Sequence, residues 1–260
     1  MKRLGWLLLL LIIPWATAYA SELSEQARAD YTYQYDQYRG AYSEYQIKRG
    51  QFEKVPTFAN QQDLISAAKA MLIVRAKVWF VFFQALRTDL AESPGFNETD
   101  RAGLTQLIVD KQVYLANDQE LLMKIASQAA LIQQAAATNT KKADFESISF
   151  ATLGSLRQAR LHYAIQELSA YADKLQPAVE MQIRESTVRD VRLQGITEAK
   201  ALLTDAETGL GVANNSLEQY TKAYRADQKF QKNVTAYTAS YQQVHQAYSL
   251  LFELSQDIEL

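Results

Sequence analysis

A chain of 260 residues, 48% apolar and 22% charged, is long enough for one large or two small domains. It has no cysteine, which excludes disulfides, thiolate metal sites, a cysteine nucleophile and a lipid-modified N-terminal cysteine. With 27 Lys and Arg against 29 Asp and Glu there is no cationic excess to meet phosphates. Neither a nucleic-acid partner nor electrostatic docking on anionic lipid is therefore expected.

Residues 1–20, MKRLGWLLLLLIIPWATAYA, have the pattern of a secretory signal. Lys2 and Arg3 form the positive start, Leu4 to Ile13 the apolar core, and Ala18-Tyr19-Ala20 a small-x-small site that predicts cleavage before Ser21. An uncleaved anchor is the alternative, but the apolar run is well short of the roughly 20 residues a spanning helix needs. Without Lys2 and Arg3 the 27 basic residues become 25 against 29 acidic ones, a net charge of −4. No later segment has the length and apolarity to span, so the expectation is a secreted or periplasmic, cell-envelope protein with no integral membrane segment after cleavage.

Residues 21–260 read as all-α. Only 4 prolines and 9 glycines occur, Ala, Gln, Leu, Glu and Lys dominate between them, and no segment alternates with period two. Pro56 ends a first helix, and Asn60 with Asp63 is expected to cap the second. Ser93-Pro94-Gly95 turns the chain, and Asn97 with Asp100 restarts it. A weaker break lies at Thr138 to Lys142. Pro177 either kinks a long helix or begins a new one at its first position. Gly209 and Gly211 end the next helix, and Ser216 with Gln219 forms a capping box for the last. The predicted helices are 22–54, 60–91, 97–137, 142–175, 177–208 and 216–258. Short connections make neighbours antiparallel. The predicted object is an elongated antiparallel bundle of about six long helices with heptad, coiled-coil-like packing. It is either one body or two three-helix units, with a subdivision near 138–142 or at Pro177.

Tyrosine is concentrated in the first helix, at YTYQYDQYRGAYSEY. Tyr31, Tyr35, Tyr38, Tyr42 and Tyr45 follow 4-3-4-3 spacing and share one face, an arc of about 100° with Phe52. Tyr33 points the other way. In the last helix Phe230, Val234, Tyr237, Tyr241, Val244, Tyr248 and Leu251 keep the same rhythm, which predicts side-by-side packing. The two stripes are expected to close the bundle on each other, with Tyr38 near Tyr241. A long bundle has a narrow core, so Tyr can cover the seam and keep its hydroxyl wet. The stripes are at the same time the candidate partner or ligand surface: Tyr31, Tyr33, Tyr35, Tyr38, Tyr42, Tyr45, Tyr237, Tyr241 and Tyr248.

The segment MLIVRAKVWFVFFQAL, residues 71–86, is apolar around the helix and is expected to be central; a concealed membrane-active hairpin is the competing reading. The uncharged, Ala- and Gln-rich stretch Ile125 to Thr140 fits close helix packing or an oligomer seam. His162 and His245 belong to no Glu-x-x-His or His-x-x-x-His pattern, so no metal site is expected. No phosphate loop, dinucleotide fingerprint or nucleophile elbow is present, so neither a cofactor nor an enzymatic activity is expected. Sequons stand at Asn97, Asn214 and Asn233.

The signal followed by DYTYQYDQYRGAYSEYQIKRGQFEK resembles the opening of secreted all-helical proteins of candidate-phylum bacteria with reduced genomes. The resemblance covers the first helix and implies a bacterial envelope setting; it brings no functional residues. The resulting expectation is a non-enzymatic extracytoplasmic interaction or scaffold protein, with a protein partner or self-association. Alternatives are a sensor-like or chaperone-like module that binds a small ligand or a client, and a helical pore-forming protein.

Overall fold

Strong helix formers and sparse breakers produce helices throughout the computed structural model, which describes residues 22–213, 219–220, 226–256 and 258. These helices are α1 (Glu22–Lys54), α2 (Phe58–Glu92), α3 (Glu98–Lys124), α4 (Gln128–Thr140), α5 (Lys142–Gln182), α6 (Ser186–Gly211) and α7 (Ala226–Leu254). The fold is all-α, neighbouring helices pack antiparallel, and no strand occurs among the described residues. The expected signal at 1–20, Ser216 of the expected capping box and the Asn214 sequon lie outside the described residues.

The helix boundaries follow local chemistry, with three departures from the sequence reading. The cap of α2 is Thr57 rather than Asn60: its Oγ1 accepts the Asn60 N–H at 3.2 Å, while the Asn60 amide reaches back to the Val55 carbonyl at 2.7 Å. Asp63, expected at that cap, instead takes Lys48 of α1 at 3.0 Å. The predicted helix 97–137 is broken at Ile125–Ser127, where the Ser127 hydroxyl accepts the Ala130 N–H at 3.3 Å and starts α4. Pro177 lies inside α5, which runs on to Gln182. The chain turns at Ile183 to Glu185 instead, five or more residues past the predicted boundary.

The turn at Ser93-Pro94-Gly95 and the cap after it are as predicted. The Asn97 side-chain oxygen accepts the Asp100 N–H at 2.8 Å, and its amide returns a bond to the Asp100 carboxylate. Gly95 has φ +82°, and a Cβ there would stand 2.2 Å from the Ala159 carbonyl oxygen. Only glycine meets both demands without strain.

The chain divides into two compact units. The first holds the described residues up to Glu92 together with Ile108–Thr138, and the second holds Ser93–Leu107 with Asn139 onward. In the first, α1 and α2 form an antiparallel hairpin. Ser24 Oγ donates to buried Asp89 at 2.7 Å at one end, and Lys48 meets Asp63 at the other. Leu72, Leu122 and Leu131 join α2, α3 and α4. The segment around Trp79 is central as predicted, with Val78, Trp79, Phe82, Phe83, Ala85 and Leu86 all buried.

In the second unit α5, α6 and α7 pack on one another around Leu161, Leu175, Ile196, Leu203, Tyr237, Val244 and Leu251. The buried positions of α7 are Phe230, Asn233, Tyr237, Ser240, Val244, Ala247 and Leu251, a 3-4 repeat. Four of these were expected, but the alternate positions are Asn233, Ser240 and Ala247, one residue before Val234, Tyr241 and Tyr248. At Ser240 the reason is close approach: a Cβ on Gly209 of α6 would lie 2.7 Å from Ser240 Oγ, so only a small side chain fits there. Tyr241 and Tyr248 are displaced to the flank.

Candidate interaction surfaces

The α1 tyrosines fall where their spacing puts them. Tyr31 is buried at 2% exposure, Tyr35, Tyr38, Tyr42 and Tyr45 are half-buried, and Tyr33 is 61% exposed. Spacing of three and four residues on a helix brings successive rings into contact, and the five rings make one continuous file. Tyr31 reaches α2 through Phe82, with ring centroids 5.4 Å apart.

Behind the file stands Arg75, whose guanidinium is pushed below its ordinary pKa by burial, partly offset by Tyr38 and Asp118. Burial raises the Tyr38 phenol, and Arg75 opposes that. Asp118 is itself buried and accepts from Thr138 Oγ1 at 2.8 Å and the Gln134 amide at 2.5 Å. This polar seam, joining α1, α2, α3 and α4, was not read from the sequence. Arg75 stands in an apolar run, and nothing local marks Asp118 as its neighbour.

On α7, Tyr237 is a core residue at 4% exposure, Tyr241 is half-buried and Tyr248 is 52% exposed. Positions 241, 245, 248 and 252 share the flank of the helix. Tyr241 and His245 have ring centroids 5.9 Å apart. Tyr248 stacks on Phe252 at 6.1 Å and 22°, and Phe252 is 55% exposed. His245 and Phe252 were not among the expected surface residues, although 4-3-4 counting from Tyr241 finds both. Each tyrosine stripe has packing partners inside its own unit: α1 on α2, α7 on α5 and α6.

Between α5 and α6 lies an open groove of about 540 Å³, lined by His162, Gln166, Ser169, Asp173, Thr204 and Glu207 among others. The Gln166 amide donates to His162 Nε2 at 2.8 Å, leaving Nδ1–H to donate to Glu207 at 2.9 Å. The ring is thus oriented from both sides. Asp173 of the lining pairs with Lys200 at 2.7 Å. Across helices His162 and Glu207 are 45 residues apart, which hides the pair from any motif search. Among the described residues, no group of three or more His, Asp or Glu side chains gathers as metal ligands would, and no helix is long and apolar enough to cross a membrane. Of the sequons, Asn97 is exposed at a helix cap. Asn233 is 5% exposed and donates to the Tyr220 hydroxyl at 3.2 Å.

No family model matches the chain, and neither a curated protein nor a solved structure does.

Proposed function

We propose that this is a non-enzymatic interaction or scaffold protein of the extracytoplasmic space, which presents helix faces to a protein partner. The observation that carries the reading is the exposed, stacked pair Tyr248 and Phe252 on the flank of α7, in line with Tyr241. In a coiled coil, flanking positions are where a further helix makes its contacts. Two rings left about half open to water represent about 0.8–1.5 kcal/mol each of burial still to be gained by such a contact. Aromatic side chains are enriched among the residues that dominate protein interfaces. The extracytoplasmic setting is supported by the pattern of residues 1–20.

The test is affinity capture from envelope extracts of the source organism, comparing the parent chain with Tyr248→Ala/Phe252→Ala. A partner retained by the parent and lost by the variant, at unchanged thermal stability, supports the reading. Equal retention by both contradicts it. The second reading is a small polar ligand held in the α5–α6 groove, favoured by the oriented His162. Loss of ligand binding on His162→Ala with partner capture intact would select it.

A further inference from the structure

The hairpin of α1 and α2 brings oxidisable rings into an unbroken file. Ring centroids are 6.3 Å apart at Tyr45 and Tyr42, 6.0 Å at Tyr42 and Tyr38, 6.4 Å at Tyr38 and Tyr35, and 6.2 Å at Tyr35 and Tyr31. The file then crosses to α2, where Phe82 lies 5.4 Å from Tyr31 and 5.8 Å from Trp79. Rings at these spacings are in van der Waals contact, so an electron has aromatic density to cross at every step.

Indole and phenol each give up one electron and one proton to form a neutral radical, and here the surroundings of the proton are graded. Trp79 and Tyr31 are 8% and 2% exposed, while Tyr42 and Tyr45 are partly open to water. Burial raises the pKa of the Tyr31 phenol, with a smaller contribution from Tyr35, so the interior hydroxyl resists losing its proton. At Tyr45 water can take it. A radical is therefore favoured at the outer end of the file.

We propose that the file is a radical relay, carrying a one-electron oxidation from Trp79 to Tyr45 and moving it out of the core. A diffusible one-electron oxidant of the azidyl or peroxyl class takes an electron from Trp79, and the indole N–H proton leaves. An electron then passes from Tyr45 through the file to the indolyl radical. The indole nitrogen regains a proton and Tyr45 releases its phenolic proton to water. The oxidation has moved by one hydrogen-atom equivalent, with only an N–H remade and an O–H broken. The phenoxyl radical stands where a soluble one-electron reductant such as ascorbate can quench it. This inference is independent of the scaffold reading.

The full chain with Trp6→Phe and Trp15→Phe leaves Trp79 as the one tryptophan of three. Azidyl radicals generated by pulse radiolysis oxidise it, and the indolyl and phenoxyl absorption bands are followed in time. The relay predicts first-order conversion of indolyl to phenoxyl, independent of protein concentration. It predicts loss of that phase in Tyr31→Phe/Tyr35→Phe, which keeps the rings but removes the oxidisable groups. Peptide mapping after steady oxidation should find tyrosine products at Tyr42 and Tyr45 in the parent, and Trp79 products in the variant. Conversion proportional to protein concentration, or unchanged in the double variant, overturns the proposal, as does a parent with no conversion. Should the double variant fail to fold, Tyr35→Phe/Tyr38→Phe places two successive non-oxidisable rings in the file while leaving the Tyr31–Phe82 contact in place, and tyrosine products should then no longer reach Tyr42 and Tyr45.

Discussion

Ser240 offers a pair of substitutions with opposite expected signs. Its side chain is fully buried, its hydroxyl has no hydrogen-bond partner among the described residues, and a Cβ on Gly209 would stand 2.7 Å from that oxygen. A buried, unpaired hydroxyl costs about 1–3 kcal/mol, so Ser240→Ala, which removes it without leaving a sizeable void, should stabilise the protein by about 1 kcal/mol. Ser240→Leu adds three carbons against the α6 backbone and should destabilise by about 1–3 kcal/mol through overpacking. The assay is urea unfolding followed by circular dichroism, with the two midpoints moving in opposite directions from the parent at unchanged slope. Tyr241→Ala serves as the register control and should cost less than Tyr237→Ala, for which about 3–5 kcal/mol is expected from a core aromatic. If Ser240→Leu is neutral, or if Tyr241→Ala is the costlier of the tyrosine pair, the register of α7 on α6 derived above is wrong.

Gly95→Ala should destabilise by about 2–4 kcal/mol, since positive φ and contact with the Ala159 backbone act together; thermal unfolding checks it. Asp89→Ala removes the acceptor of Ser24 Oγ and of Arg28, whose side chain is 24% exposed, and should cost about 2–3 kcal/mol. Hydrogen exchange should then quicken first in residues 24–31 of α1, and unchanged exchange there would argue against an anchoring role. Stability should also fall with alkali. Burial pushes the Tyr220 phenol up to about 12, so the folded state holds a proton that the unfolded state loses near pH 10. The contribution is complete below pH 10 and is lost as pH rises through about 12, with a slope of at most about 1.4 kcal/mol per pH unit for this group. Tyr31, raised further, extends the loss to higher pH, and Tyr220→Phe should flatten the slope between these limits.

The helical class, the Pro94-Gly95 turn and the Asn97 cap were legible because each rests on neighbours in sequence. So was the face of the α1 tyrosines, set by 3.6-residue geometry alone. What escaped depends on other helices. The break at Ile125–Ser127 carries no proline or glycine to mark it, and Pro177 is carried within α5, whose other contacts hold the helix through the missing donor. The α7 seam was misread by one residue because large apolar side chains were counted as core. The near approach of Gly209 selects Ser240 instead of Tyr241, and Ala247 takes the next buried position. The N-terminal half of α5 was overlooked for the converse reason. Ser147, Ser149 and Thr152 look like surface residues in sequence, yet all three are buried. Two of their hydroxyls return to the helix's own carbonyls, Ser147 to Ala143 at 2.8 Å and Ser149 to Phe145 at 2.7 Å. The His162–Glu207 pair and the Arg75–Asp118 seam likewise come together only when helices distant in sequence pack.

The interaction reading is tested most directly by site-specific photo-crosslinking in the source cells, with benzoylphenylalanine placed at Phe252 and, as a control, at exposed Glu198 of α6. The account predicts one discrete protein adduct from position 252, absent from position 198 and diminished by Tyr248→Ala. Identical adducts from both positions, or none from position 252, would contradict it.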